Sequence, residues 1–249
     1  MPSSSKIVFA IHGFLGQQAD WDLIHDLVPL GWRLRTVNLW TSDTDLEKWA
    51  ERFCASVKAN FPDASAKVLV GYSLGGRLAL HALANSPELF DGAVIISANP
   101  GLASDTECTA RRDADAKWSA RFLTDDWSTL MRDWNSQSVL KPPVARVEDA
   151  MTISRDEGDF DRTALSRSLV SWSLGVQKDL RPVLRTLKIP ILFVTGATDS
   201  KFSALTNELV KPSASGEREH VIVADAGHRV PWDAPTQFRS LLAKFLSRW

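Results

Sequence analysis

A short buried run, a glycine-rich turn and a helical pattern follow one another between Lys67 and Asn85. The run Lys67–Val70, KVLV, is apolar like a strand inside a sheet. The next five residues, Gly71–Gly75, read GYSLG and fit the pattern G-x-S-x-G. In that pattern the serine lies on a tight strand-to-helix turn, and its hydroxyl is exposed at the carboxyl end of the strand. We therefore predict a strand, a sharp turn at Ser73 and a helix that continues to about Asn85.

Similar apolar runs alternate with helical patterns along most of the chain. This alternation predicts an α/β fold in which a mostly parallel sheet of about six strands carries helices on both faces. Helical spacing is clearest in Leu46–Phe61 and in the closing segment Pro235–Trp249. The six apolar runs are Lys6–Ile11, Arg33–Leu39, Lys67–Val70, Gly92–Ala98, Pro190–Gly196 and His220–Gly227.

The span from Pro100 to Leu180 breaks the alternation, because it holds helical patterns but no convincing strand. We interpret residues 100–180 as a helical cap inserted after the run Gly92–Ala98 and lying over the carboxyl ends of the strands. Residues 1–99 and 181–249 then form the core. The helical patterns are Ala110–Leu123, Trp127–Gln137, Val144–Ser154 and Thr163–Gly175.

Four of the ten tryptophans fall in this middle span. They fit two interpretations: packing inside a small helical subdomain, or a pocket lined by indole rings. The four are Trp118, Trp127, Trp134 and Trp172.

Composition excludes several classes of function. The formal net charge is −1 with no long basic run, so a role with nucleic acid has little electrostatic support. No apolar run reaches the roughly 18 residues of a membrane span, and the start of the chain does not read as a signal peptide. The two cysteines, Cys54 and Cys108, are too few for a disulfide framework or a cysteine-rich zinc site. We expect a cytoplasmic protein that does not insert into a membrane, and the sequence leaves its oligomeric state open.

A catalytic serine needs a base and an acid that orients the base. His228 follows the last apolar run in a Gly-His loop, at the same sheet edge as Ser73. Asp199 lies three residues past Gly196, and the order Ser73, Asp199, His228 is typical of hydrolases with this elbow. Two alternatives remain open: Asp199 can serve as a helix N-cap, and Asp225 is a rival acid that lies close to His228 along the chain.

An oxyanion that develops at Ser73 needs two backbone N–H donors. The residue after the serine, Leu74, supplies one of them. The loop AIHGFLG supplies the other, and Phe14 is the best candidate because Gly13 lets that loop turn close to the elbow. We interpret His12 as a structural support of the loop.

These features resemble the α/β-hydrolase superfamily over nearly the whole chain. More narrowly, the sequence is similar to the 2-succinyl-6-hydroxy-2,4-cyclohexadiene-1-carboxylate (SHCHC) synthases of menaquinone biosynthesis. The segments that carry the narrower match are Gly71–Leu80, Asn99–Leu102, Arg111–Trp127, Arg132–Trp134 and Asp199–Leu205 (DSKFSAL).

The resemblance implies a lyase that removes pyruvate from a succinyl-hydroxycyclohexene carboxylate by proton abstraction and elimination. Ser73 would then act as the base, and no cofactor or metal is implied. The substrate is a small polycarboxylate, so its pocket needs cations, and an arginine fork matches a carboxylate. By matching motif positions, the substrate-binding residues fall on Tyr72, Arg77, Arg111, Trp134 and Arg155.

Two other functions fit parts of the sequence. A carboxylic-ester hydrolase would use the same trio with Ser73 as nucleophile, but a pocket for neutral esters has no use for three cations. A silent binding module on the same fold has no physical reason to keep all three residues. One departure affects the pocket: many related proteins have an Asp-x-Pro-Gly-x-Gly turn after the second strand, where this chain has VNLWTSDTD.

Overall fold

The predicted strands form one six-stranded sheet in the computed structural model, which describes residues 5–27, 31–41, 44–143, 155–210 and 216–249. The strands are β1 (Lys6–Ile11), β2 (Trp32–Val37), β3 (Ala66–Tyr72), β4 (Gly92–Ile96), β5 (Ile191–Gly196) and β6 (Arg218–Val223). Their order is β2-β1-β3-β4-β5-β6, and every described pairing is parallel. The predicted fold class and strand number are therefore confirmed.

Three strands end earlier than the apolar pattern predicts, and the first of them is β2, which ends at Val37 and not at Leu39. β4 ends at Ile96 and β6 ends at Val223, whereas the pattern continues to Ala98 and Gly227. Ser97 has φ 47° and Asp225 has φ 58°. Backbone in this left-handed region cannot continue an extended strand, so the chain leaves the sheet at these points.

Helices connect the strands and flank the sheet. They are α1 (Leu46–Asn60), α2 (Leu74–Asn85), α3 (Asp105–Thr124), α4 (Trp127–Asn135), α5 (Arg162–Ser171), α6 (Arg181–Leu184), α7 (Ser200–Leu209), α8 (Val230–Asp233) and α9 (Pro235–Leu246). Short 3₁₀ helices cover Gln18–Leu27, Pro87–Leu89, Ser138–Leu140 and Glu157–Asp159. The predicted helical pattern Val144–Ser154 lies outside the described residues. Within the described ranges, no helix combines the length and apolar character that crossing a membrane requires.

Both faces of the sheet are buried, as the near-continuous apolar runs require. Alternate side chains of β1 divide between the two faces. Phe9 packs in the core that the helices α1 and α2 cover, and Val8 packs in the core that α9 and the 3₁₀ helix Gln18–Leu27 cover. The sheet is therefore covered on both sides, and its carboxyl edge is where a site can open.

The span between β4 and β5 leaves the sheet and returns to it at one place. Leu180 N donates to Pro100 O at 2.8 Å, and Arg181 Nη1 donates to Gly101 O at 3.0 Å. Between these points α3, α4 and α5 form a separate apolar cluster with the loop after β1: Leu15, Phe122, Leu130, Leu165 and Leu169. These contacts support our division into a core and a cap at residues 100–180, which stays a proposal.

The first turn of α2 packs directly on the end of β1. A Cβ added at Gly75 would overlap the carbonyl oxygens of Ile11 and His12, so we expect Gly75→Ala to force backbone apart. Overpacking of this kind costs about 1–3 kcal/mol, which corresponds to a fall in Tm of about 2–10 °C in a chain of this size. Thermal unfolding measures the change. Gly158→Ala is the control, because nothing lies within 4 Å of a Cβ at that position. Equal Tm values for the two variants would contradict this account of the contact.

Candidate active site

The turn between β3 and α2 holds Ser73 in an unusual backbone conformation. Its φ is 52° and its ψ is −111°, a combination that costs a residue with a side chain about 1–3 kcal/mol. Two hydrogen bonds hold the turn: Ser73 N donates to Ile96 O at 2.9 Å, and Arg77 N donates to Ser73 O at 3.0 Å. The turn directs the serine hydroxyl into the cavity above the carboxyl edge of the sheet.

His228 lies within hydrogen-bond distance of both Ser73 and Asp199. His228 Nδ1 is 2.7 Å from Asp199 Oδ2, and His228 Nε2 is 3.1 Å from Ser73 Oγ. An ionised carboxylate only accepts, so Nδ1 carries the proton and Nε2 is left to accept from the serine hydroxyl. This is the arrangement in which an imidazole can take a proton from a serine.

Asp199 has two roles at once. Its Oδ2 faces His228, while its Oδ1 accepts from Phe202 N at 3.3 Å as the N-cap of α7. Both interpretations of this aspartate in the sequence therefore describe contacts that exist. The rival acid Asp225 is exposed on the loop after β6.

Aromatic rings hold the imidazole in place. The ring centroid of Phe202 lies 4.6 Å from that of His228, and the centroid of Tyr72 lies 5.6 Å away. Tyr72 also packs edge-on against Trp232, and burial raises the pKa of its hydroxyl above the ordinary value. Tyr72 is not among the residues that line the cavity, so in this structure it packs against His228 without facing the cavity itself.

The two backbone donors predicted for an oxyanion site both belong to cavity residues. Phe14 and Leu74 line the same cavity as Ser73. Within the described ranges, neither N–H has a hydrogen-bond acceptor in the protein. Leu74 is also the first residue of α2, where the helix dipole favours negative charge.

His12 supports the loop that carries Phe14. Its Nδ1 donates to Gly13 O at 2.9 Å, and its Nε2 accepts from Leu39 N at 3.3 Å. Burial lowers the pKa of His12 to about 4. The ring is therefore neutral at pH 7 and fixes the loop through one donated and one accepted hydrogen bond.

A cavity of about 270 Å³ lies between the carboxyl edge of the sheet and the helices α3, α4 and α5. Trp118, Trp134 and Trp172 line it, while Trp127 packs on Phe160 elsewhere. The middle-span tryptophans thus serve both purposes that the sequence left open. Trp134 also packs on Phe14, with ring centroids 4.8 Å apart.

Arg77 is a buried cation in the wall of this cavity. Its Nε donates to Gln177 Oε1 at 2.5 Å, and its Nη2 donates to Trp172 O at 2.7 Å. Burial, followed by the nearby charge of Arg111, lowers its pKa to about 9. Both described acceptors are neutral, so they orient the guanidinium without cancelling its charge.

Arg111 also lines the cavity, but it is paired with an acid. Its Nε lies 2.8 Å from Asp115 Oδ2, one helical turn along α3. The buried Asp115 also accepts from Ser173 Oγ at 2.7 Å. The pair fixes the direction of Arg111 and offsets part of its charge.

Arg155 does not reach the cavity in this structure. Its Nη2 forms a salt bridge with Asp20 Oδ2 at 2.7 Å, and its carbonyl accepts from Trp127 Nε1 at 3.0 Å. It is not one of the lining residues. The structure therefore brings two of the three predicted arginines together above Ser73 and holds the third against the 3₁₀ helix Gln18–Leu27.

Sequence reasoning did not single out three polar residues of the cavity region. Lys201 and Ser97 line the cavity, and Gln177 orients Arg77. Lys201 belongs to the DSKF segment, which was a usable signal. Ser97 and Gln177 lie in no motif and depend on tertiary contacts alone.

The chain was compared with protein families and with known proteins. The sequence pattern of the alpha/beta hydrolase family matches residues 7–241. A 2-succinyl-6-hydroxy-2,4-cyclohexadiene-1-carboxylate synthase from Serratia proteamaculans is 31% identical, with 95% of this chain and 91% of that protein covered. The synthase of the same name from Citrobacter koseri is 32% identical, with 98% and 95% covered.

Solved structures agree on the fold. MenH from S. aureus superposes with a TM-score of 0.82 at 18% identity, with 98% of this chain and 94% of that chain covered. A thermophilic esterase from Thermogutta terrifontis gives a TM-score of 0.71 at 15% identity, with 98% and 90% covered. The chain belongs to the alpha/beta hydrolase family. Within that family it is an enzyme of the SHCHC synthase type.

The lowered pKa of His12 makes stability depend on pH. The folded state binds the proton at about pH 4, whereas the unfolded chain binds it near pH 6.5. Stability is therefore present at neutral pH and is lost as the pH falls from 6.5 towards 4. We expect this group alone to remove about 2 kcal/mol between pH 7 and pH 5.

Urea unfolding of wild type and His12→Asn at both pH values measures the effect. The variant should lose less stability on acidification than wild type does, although it starts lower. The exposed His25 provides the control variant His25→Asn. Identical pH profiles for wild type and His12→Asn would exclude His12 as the source.

Proposed function

We propose that this enzyme is a carbon–oxygen lyase that releases pyruvate from a succinyl-hydroxycyclohexene carboxylate and forms SHCHC in menaquinone biosynthesis. One observation carries the proposal. The hydrogen-bonded trio of Ser73, His228 and Asp199 opens into the same cavity as Arg77 and Arg111. The names of the relatives that match over nearly the whole chain support the same activity.

In the proposed reaction Ser73 acts as a base through its neighbours. The hydroxyl passes its proton to His228 Nε2, and Ser73 Oγ takes a proton from a substrate carbon. Asp199 stabilises the imidazolium that forms and keeps its orientation. The electron pair of the broken C–H bond enters the new double-bond system, and the electron pair of the broken C–O bond leaves on oxygen as the enolate of pyruvate. That enolate takes up the proton that His228 holds, which gives pyruvate and returns the imidazole to its neutral form. The serine forms no bond to carbon.

Loss of the proton places negative charge on a carbonyl oxygen of the substrate. The backbone N–H groups of Leu74 and Phe14 are the proposed donors to that oxygen. Neither group has another acceptor among the described residues, so both can be aimed at charge that develops only during the reaction. Preorganised donors of this kind contribute about 3–4 kcal/mol to transition-state stabilisation.

The carboxylates of the substrate are proposed to bind Arg77, Arg111 and Arg155. Trp134 lines the pocket, and Tyr72 is proposed to act on it through its packing against His228. A guanidinium has five N–H donors in a fixed fork. Arg77 uses two of them and Arg111 one in the described contacts, so donors remain for an anion. Arg155 can bind a substrate carboxylate only if its guanidinium turns away from Asp20, or if it contacts Asp20 and the substrate at the same time.

The first test replaces the proposed base. We expect Ser73→Ala to lower kcat for pyruvate release at least about 1,000-fold, because members of such a trio act as a unit. The fold should remain, since alanine removes only the hydroxyl; circular dichroism and Tm check this. Release of pyruvate at a near-normal rate would remove Ser73 from the mechanism. A short-chain neutral ester, assayed beside the precursor, separates elimination from acyl transfer.

The second test concerns the recognition of negative charge. Arg111→Ala should lower kcat/KM for the anionic precursor by about 1.5–3 kcal/mol in transition-state free energy. Hydrolysis of a neutral ester, where detectable, should change much less. The matched control is Arg112→Ala on the same helix, where the guanidinium binds Gly175 O instead of lining the cavity. If Arg111→Ala lowers kcat/KM equally for the anionic precursor and the neutral ester, Arg111 has a structural role.

A further inference from the structure

We propose that Lys201 and Ser97 form a second carboxylate-binding subsite, at the side of the cavity above β4 and β5. One oxygen of a substrate carboxylate would accept from Lys201 Nζ, and the other from the Ser97 hydroxyl. The subsite is separate from the arginine contacts on α2 and α3. This proposal rests on the proposed function, because it supplies a partner for one carboxylate of an anionic substrate.

Lys201 is an exposed cation at the cavity that pairs with no described acid. It is the second residue of α7, two positions after Asp199, and it lines the cavity beside Phe202 and His228. In the part of the chain that the structure describes, its ammonium forms no hydrogen bond or ion pair with a protein acceptor. Arg111, in contrast, is paired with Asp115.

Ser97 contributes a buried hydroxyl without a protein partner. The residue is 1% exposed and lines the cavity, and its Oγ has no hydrogen-bond partner within the described ranges. A hydroxyl buried in this way costs free energy unless something in the cavity bonds to it. The residue also has φ 47°, a conformation that glycine adopts more easily.

The sheet brings these two residues to the same edge, where both line the cavity. β4 and β5 are hydrogen-bonded neighbours, and Ser97 N donates to Val194 O at 3.0 Å. Ser97 follows β4 directly, and Lys201 lies near the start of the helix that follows β5. On its other side, Ile96 O accepts from Ser73 N at 2.9 Å. The subsite therefore lies next to the reacting hydroxyl.

The charge balance of the cavity favours an anion here. Among the described residues that line the cavity, three are cationic, Arg77, Arg111 and Lys201, and the carboxylate of Asp115 offsets one of them. Removing the charge of Lys201 would lower the formal charge of these four side chains from +2 to +1. A carboxylate that accepts from an ammonium and a hydroxyl gains one charge-assisted and one neutral hydrogen bond.

The test uses single and double variants of the full-length enzyme. Lys201→Met keeps the apolar stem and removes the charge, and Lys201→Arg keeps the charge. Ser97→Gly removes the hydroxyl and suits the positive φ, so it should fold at least as well as wild type. Lys178→Met, on an exposed lysine paired with Glu47, and Ser166→Ala, whose hydroxyl bonds Ser119 outside the cavity, are the controls.

Two readouts are measured: kcat/KM for pyruvate release, and calorimetric binding of citrate as a tricarboxylate probe. We expect Lys201→Met to weaken both about 10- to 100-fold, and Ser97→Gly about 3- to 10-fold. Lys201→Arg should keep most of both. If the two residues share one carboxylate, the double variant loses less than the product of the single losses.

The outcomes separate this proposal from the function on which it rests. A Lys201→Met variant that matches Lys178→Met in both readouts overturns the subsite. Losses at the two positions that multiply independently overturn the shared carboxylate. If wild type releases no pyruvate but Lys201→Met still weakens citrate binding, the subsite stands and the lyase assignment fails. If Lys201→Met releases pyruvate at the normal rate and binds citrate as wild type does, the subsite fails and the lyase assignment is unaffected.

Discussion

The backbone turn at Ser73 is the constraint on which the site depends. Its left-handed conformation is unfavourable in isolation, and it persists because the structure around it leaves no alternative. β4 accepts its N–H through Ile96, and glycine at positions 75 and 76 lets α2 approach β1 and the Cβ of Ala98. The packing of strands and helix therefore sets the position and direction of the Cα–Cβ bond that carries the hydroxyl. His228 and Asp199 reach this hydroxyl from the ends of two other strands of the same sheet.

The parallel sheet brings Ser73, Asp199 and His228 together. Ser73 follows β3, Asp199 follows β5 and His228 follows β6, so the three side chains emerge from one edge. Because parallel strands all end at the same edge, His228 comes within hydrogen-bond distance of Ser73, 155 positions away in sequence, and of Asp199, 29 positions away. This is why the sheet and the candidate trio could be predicted from the sequence. The pattern of apolar runs specifies the strands, and the chemistry needed by a serine selects among residues that follow them.

The contacts of the arginines could not be predicted in the same way. Arg77 meets Gln177 across 100 positions, and Arg155 meets Asp20 across 135. These pairs depend on how the helices between β4 and β5 settle on the sheet, which no local pattern encodes. The strand ends were missed for a related reason. Ser97 leaves the sheet in an apolar stretch that reads as a continuing strand. A sequence indicates which residues can carry charge, but the packing decides which of those charges remain free to bind an anion.

The three arginines differ in how free their guanidinium groups are to bind an anion. Arg111 and Arg155 each face a carboxylate, so an incoming anion must compete with Asp115 or Asp20 for them. Arg77 is held by an amide oxygen and a backbone carbonyl, which orient it and leave its charge in place. Burial makes that charge costly, as its lowered pKa reflects. An anion that enters the cavity would relieve part of this cost. Its attraction to Arg77 would also be stronger than in water, because little solvent lies between them to screen the charges. Of these three arginines, Arg77 is the most deeply buried and lies one turn after Ser73, so it is the one best prepared to hold a carboxylate beside the serine hydroxyl.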